Sequence, residues 1–253
     1  MTSTQLIARQ TKDGRVEEID KGWRFTLNEG SSDRYRLGQL DNYSNKARRN
    51  FPHRPPFELR LRARASQKAL PGTWGFGIWN DPFGFSLGLG GTAGRLPTLP
   101  NSAWFFFASR ENYLSFCDDQ DGNGQLVAVF RSPRIPAIGL APTLLVLPLL
   151  AWPLGARWLR TRAANLIKQQ SAALKIDATM WHDYWIDWQV DRVEFKVDGK
   201  LVLDSRLALA PPLGLVLWLD NQYAAWRPDG RISNGTLATP AECWVEITDL
   251  KVN

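Results

Sequence analysis

Groups that most often carry catalysis or hold metal are scarce in this chain. Its 253 residues include two Cys and two His. Cys117 and Cys243 lie far apart and sit in no metal-ligand spacing, so a disulfide framework and a conventional zinc site are both ruled out. No phosphate-binding loop, dinucleotide fingerprint, Gly-x-Ser-x-Gly elbow or His-Glu-x-x-His occurs, which removes support for those enzyme classes, and no cofactor is expected. The first thirty residues lack an apolar h-region; without a secretory signal to read, the expected compartment is the cytoplasm. No internal repeat is visible.

What the chain does have is aromatic and basic. Twelve Trp and a formal net charge of +6 stand out from an otherwise ordinary globular composition with 44% hydrophobic residues. Alternation dominates. Trp23, Phe25 and Leu27 alternate with polar neighbours, and Phe57, Leu59, Leu61 and Ala63 alternate with Glu58, Arg60, Arg62 and Arg64, the period of a sheet half-buried on a core. Apolar runs at Trp74–Trp79, Phe83–Leu89, Trp104–Phe107 and Leu126–Phe130 are separated by Gly and Pro. Further strands are predicted over 181–190, 193–197, 201–204, 213–220 and 243–252, with Asp198-Gly199 as a tight turn. Short strands with regular turn signals predict an all-β sandwich or jelly roll, one domain over 1–253.

The charge is not spread over that fold. Residues 131–175 hold Arg131, Arg134, Arg157, Arg160, Arg162, Lys168 and Lys175, seven of the 31 Lys and Arg, and none of the 25 Asp and Glu. The same segment contains an uncharged run from Ile135 to Ala156, cut by Pro136, Pro142, Pro148 and Pro153. From Ala156 to Lys175, Leu159, Ala163, Leu166, Ile167 and Leu174 recur at helical spacing, predicting an amphipathic basic helix. Residues 132–178 thus read as an apolar, partly helical insertion. Basic charge flanking an apolar stretch is the signature of an anionic membrane surface, whereas nucleic-acid binders interleave basic and aromatic residues over a polar face, so no nucleic acid is expected. Contact is expected through Leu144, Leu145, Leu147, Leu149, Leu150, Trp152, Arg157, Trp158 and Arg160. A single crossing would strand the two halves of one sandwich on opposite sides, so the association expected is peripheral or monotopic; the alternative is a cap on the protein's own cleft.

Several motifs carry a resemblance. Trp181-His182-Asp183-Tyr184-Trp185-Ile186-Asp187-Trp188, followed by Val193-Glu194-Phe195-Lys196-Val197-Asp198-Gly199, resembles the H-x-Y-x-I-x-W … V-x-F-x-V-D-G stretch of family 16 glycoside hydrolases. Gly72 to Trp79, Pro212 to Asp220 and Trp244 to Val252 are similar to further strands of that family. The resemblance implies a concanavalin A-like lectin/glucanase jelly roll over roughly 16–131 and 179–253. It does not carry the activity across. The family's catalytic strand reads E-x-D-x-x-E, but the corresponding strand here, Ser102 to Ser109, holds no carboxylate in either register, and no such motif occurs elsewhere in the chain. Retaining hydrolysis through that strand is therefore not expected.

Site residues follow from the alternation. Leu213, Leu215, Leu217 and Leu219 belong to a core face, which leaves Trp218 and Asp220 on the concave side, with Asn221, Gln222, Tyr223 and Trp226 in the following loop. Trp79 and Asn80 end another strand, and Trp104 and Phe106 share one face of theirs. These nine residues other than Asp220 are the expected ligand contacts, since Trp faces stack on sugars and on apolar lipids alike. Asp81 and Asp220 are the candidate acids, each following an apolar strand that would desolvate it; as turn caps they would be structural. His182 matches a packed-strand position of the family. Asp119, Asp121 and Asn123 resemble the start of a calcium loop, but Arg131 stands where the bidentate Glu belongs, and no metal is expected; Asn123-Gly124 reads as a hairpin turn. The function expected is non-hydrolytic binding of a lipid, isoprenoid or glycolipid in an aromatic cleft at a membrane surface. The alternatives are an isomerase- or cyclase-type enzyme on an apolar substrate, or a carbohydrate-active hydrolase with displaced carboxylates. Oligomeric state stays open.

Overall fold

The computed structural model describes residues 5–82, 95–135 and 148–253. The predicted run Phe83–Leu89 and the expected membrane contacts Leu144, Leu145 and Leu147 lie outside them. In chain order the strands are β1 (Ile7–Gln10), β2 (Gly14–Ile19), β3 (Gly22–Leu27), β4 (Leu37–Asp41), β5 (Phe57–Ala65), β6 (Thr73–Trp79), β7 (Ser102–Ala108) and β8 (Gly124–Arg131). A helix α1 (Pro153–Leu166) precedes β9 (Lys168–Ala173), β10 (His182–Trp188), β11 (Val193–Val197) and β12 (Lys200–Ser205). The chain ends through β13 (Gly214–Asp220), β14 (Gln222–Trp226), β15 (Ile232–Thr236) and β16 (Cys243–Val252).

Two seven-stranded antiparallel sheets form a jelly-roll sandwich. One runs β1-β4-β13-β6-β7-β8-β9, the other β12-β11-β10-β5-β16-β3-β2, and β14-β15 makes a separate hairpin. The second sheet is one-sided: β5 alternates buried Phe57, Leu59, Leu61 and Ala63 with more exposed charged residues. Its inner face packs Phe25, Leu59, Ile186, Phe195 and Val245 against Phe76, Ile78, Phe105, Val127 and Leu217 of the first sheet. Each such side chain contributes roughly 1.5–3 kcal/mol on burial. The Asp198-Gly199 turn joins β11 to β12 with both residues at positive φ, the conformation a two-residue hairpin demands.

The first sheet is apolar on both sides. Every residue of β4, β6 and β13 is buried, although alternate side chains must point away from the sandwich core. On the far side, Trp79, Trp104, Phe106, Phe130, Val216 and Trp218 form a second apolar cluster with Leu37, Tyr43, Phe51 and Ile167. Gly75 makes room for it on β6.

Three expectations from sequence change here. The helix predicted over 156–175 ends at Leu166, and Lys168–Ala173 is instead the edge strand β9, paired with β8 from Arg131↔Lys168 to Leu126↔Ala173. The β8 ladder offers that segment a full set of backbone partners, and Gln169 fixes it by donating to Ser115 Oγ at 3.0 Å. Asn123-Gly124 does not close a two-residue hairpin, because residues 109–123 form a long loop that docks on β14 (Tyr113 N donates to Ala224 O at 2.9 Å). Residues 222–226, expected as loop, are strand β14.

A Cβ added at Gly75 would lie 2.2 Å from the Phe105 carbonyl oxygen and 2.8 Å from the Trp218 ring. Gly75→Ala should lower stability by about 1–3 kcal/mol, the usual cost of overpacking. Urea unfolding followed by Trp fluorescence checks this; an unchanged midpoint would contradict the close packing of Trp218 over β6.

Candidate functional site

The far side of the first sheet, its covering loop and the β14–β15 hairpin enclose a cavity of about 530 Å³. Its floor is aromatic. Trp104 is the hub, with ring centroids 5.9 Å from Trp79, 5.5 Å from Phe106, 6.0 Å from Phe130 and 5.8 Å from Trp218. Strand alternation explains the set, because Ala103, Phe105 and Phe107 on β7 fill the sandwich core, while Trp104 and Phe106 face the other way. The walls come from Tyr35 and Gln39, from Tyr113 to Phe116 of the 109–123 loop, and from Gln222 to Trp226 of β14.

One carboxylate lies among the described lining residues, that of Asp220, and no Lys, Arg or His does. Asp220 is 7% exposed. Its Oδ1 accepts from Thr73 N at 3.2 Å, Thr73 Oγ1 at 2.8 Å and Gln222 N at 3.3 Å, and its Oδ2 accepts from the Tyr35 hydroxyl at 3.4 Å. Trp218 Nε1 donates to Thr73 Oγ1 at 2.9 Å, which links the aromatic floor to the carboxylate. Burial pushes the Asp220 carboxyl up to about 7, against the hydrogen bonds from Thr73, Gln222 and Tyr35, which favour the charged form. Burial also raises the Tyr35 hydroxyl well above the usual phenol range, with the Asp220 charge beside it acting the same way.

Of the residues expected from sequence, Trp79, Trp104, Phe106, Trp218, Asp220, Gln222, Tyr223 and Trp226 line this cavity together. Asn80, Asn221 and Asp81 do not. Asn221 is fully buried as a strut: its Nδ2 donates to Arg34 O and Leu237 O, and its Oδ1 accepts from Arg36 N. Asn80 clamps residues 99–101 through its side-chain amide. Asp81 is fully buried in an ion pair with Arg95, which also donates to three carbonyls of residues 43–46 and so joins the two loops. His182 belongs to the other sheet, bonded to Asp198 Oδ2 at 2.7 Å and Asp177 O at 3.0 Å. Asp119 and Asp121 are exposed, Asn123 donates its amide to Arg110 O and Asn112 O, and the described residues hold no group of three His, Cys, Asp or Glu suited to a metal.

The insertion reaches this site. Leu150, expected at the membrane, lines the cavity, and Trp226 Nε1 donates to Ala156 O at 3.2 Å. Arg160, also expected at the membrane, is buried at 4% exposure. Its guanidinium pairs with Asp118 and donates to Ser115 O at 2.6 Å and Trp226 O at 3.0 Å, because the loop and β14 present carbonyls that need a donor. Trp152, Arg157 and Trp158 are exposed and Leu149 is half-buried. No helix of the described residues is long and apolar enough to cross a membrane.

Sequence reasoning missed Tyr35, Gln39, Phe130 and the Tyr113–Phe116 wall. Phe130 was within reach, since Leu126, Ala128 and Phe130 alternate with core Val127 and Val129; the loop carried no periodic signal. A second hollow, about 580 Å³, lies outside the other sheet among Arg60, Arg62, Asp183, Trp185, Asp198 and Lys196. It has charges of both signs, and Arg62 and Asp183 are 3.6 Å apart.

No protein-family model and no curated protein matches this chain. Among solved structures it is similar to the legume lectin-like domain from Entamoeba histolytica, with TM-score 0.51 and 12% identity over 98% of this chain and 89% of that one. It is also similar to a glycoside hydrolase family 16 endo-glucanase from Bacteroides ovatus, with TM-score 0.52 and 9% identity over 100% of this chain and 96% of that one. The fold is the concanavalin A-like jelly roll.

The raised Asp220 carboxyl has a sign. A folded-state affinity for protons above the unfolded value near 3.8 makes the native state less stable as pH rises from about 4 through about 7, after which the loss is complete. The loss approaches roughly 4 kcal/mol. Asp220→Asn should remove this component, so the stability difference between variant and parent grows from pH 4 to pH 8 in the variant's favour. Urea titrations across that range measure it, and a difference independent of pH would show that Asp220 is not held in this environment.

Proposed function

We propose that the protein binds a lipid or glycolipid in the aromatic cavity without hydrolysing it, while the outer face of α1 rests on an anionic membrane surface. The observation that carries the reading is the cavity wall: interlocking aromatic rings with a single carboxylate among the described lining residues. Ligand sites are concave and mostly apolar with a few convergent polar groups, and about 530 Å³ accommodates a small amphiphile or one lipid segment. Retaining glycoside hydrolysis uses two carboxyl groups about 5–5.5 Å apart. Here the floor strand offers Trp104 and Phe106 instead, and Asp220 has no second acid among the described lining residues.

The membrane part is supported by what α1 leaves outside. Trp152, Leu154, Trp158 and Leu166 are 67%, 81%, 49% and 47% exposed, and exposed Arg157 and Arg162 lie among them. Apolar and aromatic side chains with interspersed cations suit an anionic bilayer interface. The same segment borders the cavity through Leu150 and holds the lining residue Trp226 through the Ala156 carbonyl, so docking there would bring the cavity close to the leaflet. A carbohydrate ligand is the second reading: a lectin-like domain and an endo-glucanase have this fold, and Trp faces stack on sugar rings.

Titration with a short-chain amphiphile should quench the intrinsic Trp fluorescence saturably, and Trp104→Ala should weaken binding about tenfold or more, from loss of the hub ring. Saturable binding of free oligosaccharides with no response to amphiphiles would favour the second reading; release of reducing sugar from β-glucan would overturn the non-hydrolytic one. In co-sedimentation with anionic vesicles, the double variant Trp152→Ala/Trp158→Ala should partition several-fold less than the parent. Equal partitioning of the two proteins removes α1 from the membrane contact.

A further inference from the structure

We infer that the cavity selects a cationic amphiphile, with an ammonium group held by the Asp220 carboxylate against the aromatic rings. The inference rests on the reading that an amphiphile occupies the cavity and names the charge of its polar end. Three observations converge on it. The described lining carries one acid and no base, so its side chains supply at most one negative charge and no cation to pair with an anion. The two carboxylate oxygens are also unequal. Oδ1 accepts from three donors, whereas Oδ2 accepts from one, the Tyr35 hydroxyl, at a long 3.4 Å that leaves acceptor capacity on that oxygen. An N–H donor or a bare ammonium charge would complete it.

The third observation is the ring arrangement. Trp218 lies two residues before Asp220 on the same face of β13, and its ring is 5.8 Å from Trp104 and 5.9 Å from Phe106. The faces of such rings are negative, and they attract a desolvated cation in a way they do not attract a neutral or an anionic group. A carboxylate among aromatic faces is therefore unfavourable when empty and well suited to a cation: burial penalises the lone charge, and a counter-charge removes the penalty. The groups hydrogen-bonded to Asp220 are uncharged. They are Tyr35 from the segment before β4, Thr73 from β6 and Gln222 from β14; the cation Arg9 of β1 acts on Tyr35, and Tyr113 and Tyr223 are the other titratable lining groups.

Three probes of equal chain length separate the possibilities: octylammonium, octanol and octanoate, titrated by fluorescence and calorimetry at pH 8. Octylammonium should bind at least tenfold more tightly than octanol, with octanoate weakest. Asp220→Asn, which keeps an acceptor for Thr73, should bring the ratio of octylammonium to octanol affinity towards one. Should that variant not fold, the parent protein provides the second readout: because the cation needs the ionised carboxylate, octylammonium affinity should fall about tenfold from pH 8 to pH 6, and octanol affinity should not. Equal affinity for octylammonium and octanol, with no pH dependence, overturns the cation inference and leaves amphiphile binding intact. Failure of all three probes to bind overturns both.

Discussion

A sheet that is apolar on both faces cannot be left with one face in water, and the architecture of this protein follows from that constraint. The strands β4, β6, β13 and most of β7 are buried throughout. Their inner side chains are satisfied by the opposing sheet. Among the described residues their outer ones meet no third large sheet, and they are covered by the 109–123 loop, the two-stranded β14–β15 hairpin and α1. Irregular chain covers a flat surface less completely than a sheet does, and the space left over is the cavity. Its aromatic character is thus the sheet's own outer face, narrowed by cover.

Cover of this kind brings polar backbone into apolar surroundings, and three buried charges meet that problem in different ways. Asp81 is neutralised outright by Arg95, which in turn gathers carbonyls of residues 43–46. Arg160 works in the opposite sense: it carries donors to the carbonyls of Ser115 and Trp226 and takes Asp118 as its counter-charge. Asp220 alone of the three lacks an ion-pair partner among the described residues, and hydrogen bonds from Thr73, Gln222 and Tyr35 hold it in place of one. Breaking a buried pair is strongly destabilising because it leaves one charge uncompensated; Asp220 meets that condition whenever it ionises, and burial opposes ionisation by pushing its carboxyl up to about 7. It is also the one of the three that lines the cavity.

The sandwich was legible because period two survives wherever one face of a strand meets the core. Val193–Val197 and Cys243–Val252 have the predicted bounds, the Asp198-Gly199 turn joins the predicted strands, and Leu213 to Leu219 fill the core as their alternation requires. The cavity floor followed from the same rule applied to Trp104, Phe106 and Trp218. What was not legible depends on partners distant in sequence. Lys168–Ala173 has helical spacing, yet β8 needs an edge partner, and the tertiary ladder overrides the local pattern. The Tyr113–Phe116 wall is placed by backbone bonds to β14, and Asp81 by an arginine fourteen residues on; neither bond leaves a periodic trace.

Helix α1 misleads a helical wheel for a related reason. A wheel assigns the apolar stripe to the interior, but the interior this helix meets is made of loop and strand carbonyls, which call for donors as well as for hydrocarbon. Ala156 and Arg160 therefore take the buried side, Ala163 packs behind them, and Trp152, Leu154, Trp158 and Leu166 are left outside. Isolated apolar residues at a surface are ordinary. Four on one short segment, on a chain region with seven cations and no acid, are a different matter, since burial of each would contribute roughly 1.5–3 kcal/mol that the fold forgoes. Inward polarity and outward apolarity are coupled on a helix this short: the choice that satisfies the cavity's carbonyls is the same choice that presents hydrocarbon and charge to whatever lies beyond the rim.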